Sequence, residues 1–289
     1  MHKYLKSIGF HGIDNEDLRI LKRDVEAHPT MQSLSTSEND ERIMEYRKDY
    51  SYHLGLTIVG QENPDAGFES EFFYPYFIGN SISSNEDLVE IVKSSERNSY
   101  EGVLDDPRLG IDLIFFLTDD IALIEEDAKT GQPVNHGSIR LSGLAERATV
   151  LLPLDDSLKP GSDVNETKEY EDLRKAAGEG NSDAENLLSV RDLQKTLNVY
   201  GRIEKEDLYT VVSTYIMPQG IECDKYSILG EIKNCKKFMN EATRQTVFVL
   251  TLNCNDVLMD VVVNTADIIG EPEVGRRLQA DIWLQGRIT

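Results

Sequence analysis

The chain has 289 residues, 52 of them Asp or Glu against 30 Lys or Arg, with a formal net charge of -22 and a pI near 4.6. A field of that sign repels phosphate backbones and anionic lipid, so nucleic acid and membrane surfaces are poor partners. With 39% hydrophobic residues there is material for a sizeable core, in one large domain or two ordinary ones.

No apolar run approaches the 18 or so residues of a membrane span, and the charged residues 1–6 have no apolar segment of a signal peptide behind them. Cys223, Cys235 and Cys254 are odd in number and widely spaced. That suits free thiols in a reducing cytoplasm.

Asp14 or Asn15 can cap a first helix over residues 16–27, where Leu18, Leu21 and Val25 recur at helical spacing and Pro29 follows. Residues 35–46 read as a second, charged helix, with Ser37 as a plausible cap. The period then changes to two along Tyr50, Tyr52, Leu54, Leu56 and Ile58. Residues 60–67 read as a turn into an aromatic strand over 68–77, and its Pro75 marks an edge. Residues 84–94 read as a short helix with Leu88, Ile91 and Val92 inward. Strands follow at 100–104 and 110–117, then a hairpin of 139–142 with 149–154.

Residues 155–169 are polar, hold Pro160 and Gly161, and read as a linker. A helical pair comes next. Residues 173–188 resemble one half of a Sel1-type repeat without a second copy, so an αα-hairpin is expected. Residues 208–217 fit a helix or a strand, and their β-branched content favours strand. From residue 226 onward Gly, Pro, Asn and Asp punctuate β-rich runs: 226–235, 245–254, 257–264 and the alternating 277–285. In the last run Leu278, Ala280, Ile282 and Leu284 share one face. Arg277, Gln279, Asp281, Trp283 and Gln285 share the other.

The expected class is α+β: an N-terminal antiparallel sheet with helices, a short helical pair and a small C-terminal β-barrel, OB-like. Residues 1–158 would form the first domain, 159–203 the linker and helical pair, and 204–289 the barrel, closed by its own earlier strands 226–235 and 245–264.

Several stretches together carry a resemblance: MHKYL with Ile8-Gly9-Phe10, EFFYPYFIG at 71–79, DDPRLGIDLIFFL at 105–117, MPQGIECDKYSILGEI at 217–232 and IWLQGRI at 282–288. The chain resembles, over nearly its whole length, a family from anaerobic Gram-positive bacteria defined as a conserved domain of unknown function. The resemblance implies an intracellular bacterial protein and supplies no reaction. The family pattern more often has a tyrosine and an amide where this chain has Phe116 and Asp119.

The phosphate-loop, dinucleotide, nucleophile-elbow and His-Glu-x-x-His signatures are absent. Asp105-Asp106 and Asp119-Asp120 flank one strand about 20 Å apart and cannot share a metal through it. The five histidines precede the linker and the three cysteines follow it, against a zinc site. No cofactor, metal or catalytic residue is expected. His136 reads as a loop histidine.

Trp283, odd on a polar face, either packs on the rest of the molecule or forms a stacking platform. Three functions follow. The first is a non-catalytic binding or scaffold protein with a protein partner or small ligand, its candidate binding residues Trp283, Arg276, Arg277, Lys236 and Lys237. The second is a metal-dependent hydrolase, which needs Glu101, Asp105, Asp106 and His136 to converge. The third, ranked below both, is weak single-stranded nucleic-acid binding by the barrel through Lys233, Lys236, Lys237, Arg244, Arg276 and Arg277.

Overall fold

A capping box starts the first helix, α1 (Asn15–Ala27). Asp14 accepts hydrogen bonds from the amides of Glu16 and Asp17, and Asp17 accepts one from the Asp14 amide. The computed structural model describes the whole chain except residues 1–2, 37–41, 64–66, 85–87, 94–98, 106–108, 110, 120–133, 136–137, 155–172, 174, 178–180, 185, 191–207 and 289. A 3-10 helix, Lys3–Ile8, precedes α1.

Four antiparallel strands follow in spatial order: β1 (Met31–Thr36), β2 (Arg42–Ser51), β3 (Leu54–Asn63) and β4 (Gly67–Phe77). β1 and β2 replace the helix expected over 35–46. Charge there had suggested a solvated helix face, but Ile43, Glu45 and Arg47 alternate inward at period two. Pro75 does lie on an edge strand, since β4 ends this sheet. The expected turn over 60–67 is shorter, because β3 runs on to Asn63. α1 covers one face of the sheet. Its Asp24 accepts from Lys48 Nζ at 2.8 Å and Tyr50 Oη at 3.0 Å, and Lys22 sits over the Phe73 ring.

The second sheet contains β5 (Leu88–Lys93), β6 (Tyr100–Asp105), β7 (Asp112–Leu117), β8 (Val134–Asn135), β9 (Ile139–Leu151), β10 (Tyr215–Pro218), β11 (Lys225–Met239), β12 (Thr246–Cys254), β13 (Val257–Asn264), β14 (Ile268–Ile269) and β15 (Arg277–Ile288). β5 overturns the helix expected over 84–94; Val89, Ile91 and Val92 suit a strand. β9 is one continuous strand, not a hairpin. Its register against β15 jumps from Arg147 opposite Asp281 to Ala145 opposite Ile282, which leaves Glu146 as an extra residue. That bulge breaks the period-two pattern and imitates a turn. Gly143 lies against Ile282: an added Cβ would come within 2.8 Å of Ile282 Cδ1.

Five of these strands close into a barrel, in the order β11-β12-β13-β9-β15 and back to β11. β9 runs parallel to β13 and antiparallel to β15. The barrel is therefore not closed by the strands after residue 225 alone; one stave comes from the first half of the chain. Ile228, Leu250, Leu252, Val261, Leu278, Ala280, Ile282 and Leu284 are buried in the core. Asn255 and Asp256, both at positive φ, join β12 to β13 in a tight hairpin. The N-terminal 3-10 helix packs on β9 and β13 with Tyr4, Leu5 and Ile8 buried. Ser7 Oγ donates to the Ala145 oxygen at 2.7 Å, and Asn264 Nδ2 donates to the Lys6 oxygen at 3.1 Å.

Residues 1–151 and 214–289 form one compact unit, and 152–213 form another. Strands from both ends of the chain share one sheet within the larger unit. The expected linker, 155–169, lies outside the described residues. In the smaller unit, residues 175–177, 182–184 and 186–190 are helical, and Asn181 Oδ1 caps the second stretch by accepting from the amides of Asp183 and Ala184. The ambiguous segment is both things in succession: one helical turn, Leu208–Val211, and then β10.

Candidate functional site

Period two along β2 places Glu45, Arg47 and Asp49 on one face. The register carries that face onto β3 and β4, where Arg47 aligns with Thr57, and Thr57 with Tyr74; Gly55 aligns with Asp49 and Tyr76. A polar layer results where a hydrophobic one is usual. Glu45 is 1% exposed and Arg47 5%. Arg47 Nη2 donates to Glu45 Oε1 at 2.9 Å and to the main-chain oxygen of Thr118 at 2.8 Å. Its guanidinium lies over the Tyr76 ring, and the Tyr76 hydroxyl donates to Asp49. Tyr74 meets Phe116 edge-on at 4.7 Å.

Asp119, just beyond β7, completes the layer. Its Oδ2 accepts from the Ile288 amide at 3.0 Å, and Oδ1 lies 3.6 Å from Arg287 Nε. Burial pushes its carboxyl up to about 6, against the pull of the Ile288 amide, Arg287 and Arg47. Burial likewise drives the Tyr74 and Tyr76 phenols above their ordinary range, with Glu45 and Asp49 respectively adding to it. For Arg47 burial works the other way, but Tyr74, Glu45 and Tyr76 outweigh it and hold the guanidinium charged. The tyrosines are thus fixed as protonated phenols and Arg47 as a cation. Asp119, pushed up to about 6, is placed to change charge near neutral pH.

A second polar centre ties the segment after β4 to the barrel. Asp260 on β13, 2% exposed, accepts from the amides of Asn80 (2.7 Å) and Ser81 (2.9 Å), the Ser81 hydroxyl (2.9 Å) and the Thr251 hydroxyl (2.6 Å). Ser83 Oγ donates to the Leu258 oxygen on the same strand. Val247, Val262 and Asn264 on the outer side of β12 and β13 are buried as well. OB barrels often use this outer face for ligands; here the chain's own residues 79–83 lie against it.

The residues expected to bind a partner do not come together. Trp283 is 6% exposed, stacked on Tyr4 with ring centres 5.6 Å apart and tilted against Phe116 at 5.1 Å. Its indole N–H donates to Asp224. It packs on the rest of the molecule and presents no open platform. Arg277 is 7% exposed. Arg276 braces its own turn, donating to the Glu271 oxygen at 2.9 Å and pairing with Glu273. Lys236 and Lys237 are exposed on β11, with Lys237 over the Phe248 ring at 4.8 Å. Glu231 is the β11 residue opposite Arg277, so Lys237 lies six positions along the strand, about 20 Å away. No single basic strip forms from these four cations.

Gln285, expected to face away from the core, is fully buried: it accepts from the Phe77 amide and donates to the Pro75 oxygen. Its face of β15 is covered by β4. Glu101 and Asp105 lie four residues apart on β6, about 13 Å along the strand, and Asp106 and His136 lie outside the described residues. Cys223, Cys235 and Cys254 are free thiols; burial pushes Cys254 up to about 12. Among the described residues no three His, Cys, Asp or Glu side chains group as metal ligands. Nor is any helix among them long and apolar enough to cross a membrane.

Sequence reasoning missed the Glu45–Arg47–Asp119 layer. Its signal was the alternation Ile43, Glu45, Arg47, Asp49, hidden because charge on alternate positions was read as a helix surface.

A stretch of 137 residues is 22% identical to human aftiphilin, covering 47% of this chain and 15% of that protein. No solved structure matches the chain. The model of the family described as a domain of unknown function, E. rectale Gene description (DUF3881), matches residues 5–286, and the chain belongs to that family.

Proposed function

We propose that this protein is a binding or scaffold protein that holds a partner and transforms no substrate. The observation that carries this reading is the intramolecular use of its polar and aromatic groups. Arg47 and Glu45 link β2 to the end of β7, Asp260 fastens residues 79–83 to the barrel, and Trp283 is packed beneath Tyr4. The barrel acts as a frame, and recognition falls to the surfaces and strand edges that these contacts leave uncovered. The acidic field and the covered outer face of β12 and β13 weigh against single-stranded nucleic acid as the partner. Three free cysteines suit the cytoplasm, where we place the protein.

The test is isolation of the protein from native lysate, with mass spectrometry of co-purifying proteins and small molecules. It is paired with thermal melts in Mg²⁺, Mn²⁺ and Zn²⁺. A stoichiometric macromolecular or small-molecule companion, with no metal-dependent shift, is the expected result. Saturable stabilisation by a metal, with hydrolysis of a model ester, would overturn it in favour of a metal-dependent hydrolase.

A further inference from the structure

β11 is longer than its partners on one side. Over Lys225–Glu231 it pairs with β15, and over Glu231–Met239 with β12. The Ile232 amide and oxygen still bond to the main chain at Arg276 and Gly275. From Asn234 to Met239 no strand among the described residues lies along the edge turned away from β12. Alternate residues of such an edge direct N–H and C=O groups outward, a template for one more strand.

The charge of this edge is opposite to that of the molecule. Lys233, Lys236 and Lys237 fall within five residues, and no carboxylate occurs between Lys233 and Asn240, in a chain of net charge -22. Lys233 pairs with Glu231 at 2.9 Å. Among the described residues Lys236 and Lys237 have no carboxylate partner. Being adjacent, they point to opposite faces of the strand. Apolar groups flank them: Phe238 is stacked on the half-exposed Tyr52 at 5.7 Å, and Met239 is 47% exposed.

We infer that the Asn234–Met239 edge of β11 docks an extended acidic segment of a partner protein by strand addition. The inference rests on the binding reading above and names its partner class. Directly opposed side chains interact across a strand pair. An antiparallel segment therefore places consecutive carboxylates against Lys237 and Lys236, one on each face. The next residues outward meet Phe238 on one side and Cys235 on the other, where small apolar groups fit. The matching segment is apolar-acidic-acidic-apolar. The lysines that deter pairing with a neutral or basic edge are the groups that select this one.

The probe is a fluorescein-labelled peptide with a central Val-Glu-Glu-Val, titrated into the full chain and followed by anisotropy. Controls carry Val-Lys-Lys-Val, or the acidic sequence N-methylated at alternate amides. The acidic peptide binds saturably and more weakly as salt rises. It slows hydrogen exchange at alternate amides of 234–239. The double variant Lys236→Glu with Lys237→Glu, its melt unchanged because both side chains are exposed, loses at least about tenfold in affinity, or about 1.4 kcal/mol. It also gains affinity for the lysine peptide.

Equal binding of the N-methylated peptide would reduce the effect to charge adsorption and overturn strand addition. Absence of binding would remove the edge from the protein's function, as would self-association of the chain through it. A native partner held equally by the double variant would sink this edge while leaving the binding reading standing. A wild-type chain that holds no companion at all would sink the binding reading itself.

Discussion

Arg47 of β2 donates from one nitrogen to both Glu45, two residues away on the same strand, and the Thr118 oxygen 71 positions further along the chain. One guanidinium thus joins the four-stranded sheet to the end of β7. Its partner is a carboxylate that is 1% exposed.

Removing the cation takes the guanidinium away from a buried carboxylate. Arg47→Ala should destabilise by about 3–5 kcal/mol, the usual effect of breaking a buried pair from one side. Arg47→Met combined with Glu45→Leu should be much milder, because no charge is left buried alone. Urea denaturation of the three proteins gives the comparison; a double variant as unstable as the single would show that the pair does more than neutralise itself.

Asp119 should give the protein an unusual pH dependence. Its folded-state value is raised from 3.8 to about 6, so the native state holds the proton more tightly than the unfolded chain. Stability from this group is therefore fully present below about 4, falls as pH rises toward about 6 and stays lower above it. The groups facing it are Arg287, Arg47, Glu45 and the Ile288 amide. Asp119→Asn should flatten that slope and stabilise the protein above pH 7 by about 2–3 kcal/mol. Melting temperatures between pH 4 and 8 for both proteins measure it; parallel curves would refute the assignment.

Trp283 should emit at short wavelength in the native state, and Trp283→Ala should destabilise by about 3–5 kcal/mol. Trp283→Phe should keep the contact with Tyr4 but leave Asp224 without its indole donor. Its melt should then lie between those of the wild type and the alanine variant. Emission at the solvent-exposed wavelength would contradict the packing.

Each face of β15 should hold a position where truncation destabilises, unlike an outer strand with one wet side. Ile282→Ala should lose about 2–5 kcal/mol through a cavity inside the barrel. Gln285→Ala, on the opposite face, should lose about 1–3 kcal/mol by stripping partners from the Phe77 amide and the Pro75 oxygen. Gln279→Ala, half-buried on the same side as Gln285, should stay within about 0.5 kcal/mol. Chemical denaturation of the three variants suffices; a neutral Gln285→Ala would mean that these bonds add little.

Much of the barrel was readable because its signals are local. Asn255-Asp256 marks a hairpin, and Leu278, Ala280, Ile282 and Leu284 alternate on a strand buried from that side. A cap at Asp14 or Asn15, with Leu18, Leu21 and Val25 at helical spacing, marked α1 in the same way. Glu45 and Arg47 were not readable as core residues, because what buries them is a pairing between each other and a carbonyl far along the chain. Nor was β9, where the extra residue Glu146 shifts the alternation midway. Its place between β13 and β15 depends on one parallel and one antiparallel partner more than a hundred residues on, and such pairings leave no mark in the strand's own sequence. Trp283 shows the limit from the other side: alternation placed it on the outer face, but could not say what covers that face.

The position of β9 in the barrel has a consequence for synthesis. β9 leaves the ribosome before either of its neighbours exists, and its two edges find partners only when β13 and β15 have followed. Closure of the barrel is therefore a late event that waits for β15. Such non-local pairing makes for slow folding and leaves a half-made chain with an apolar strand, Ile139, Leu141, Leu144 and Ala145 among it, open to wrong partners. The surplus of carboxylates sets a mutual repulsion between such half-made chains.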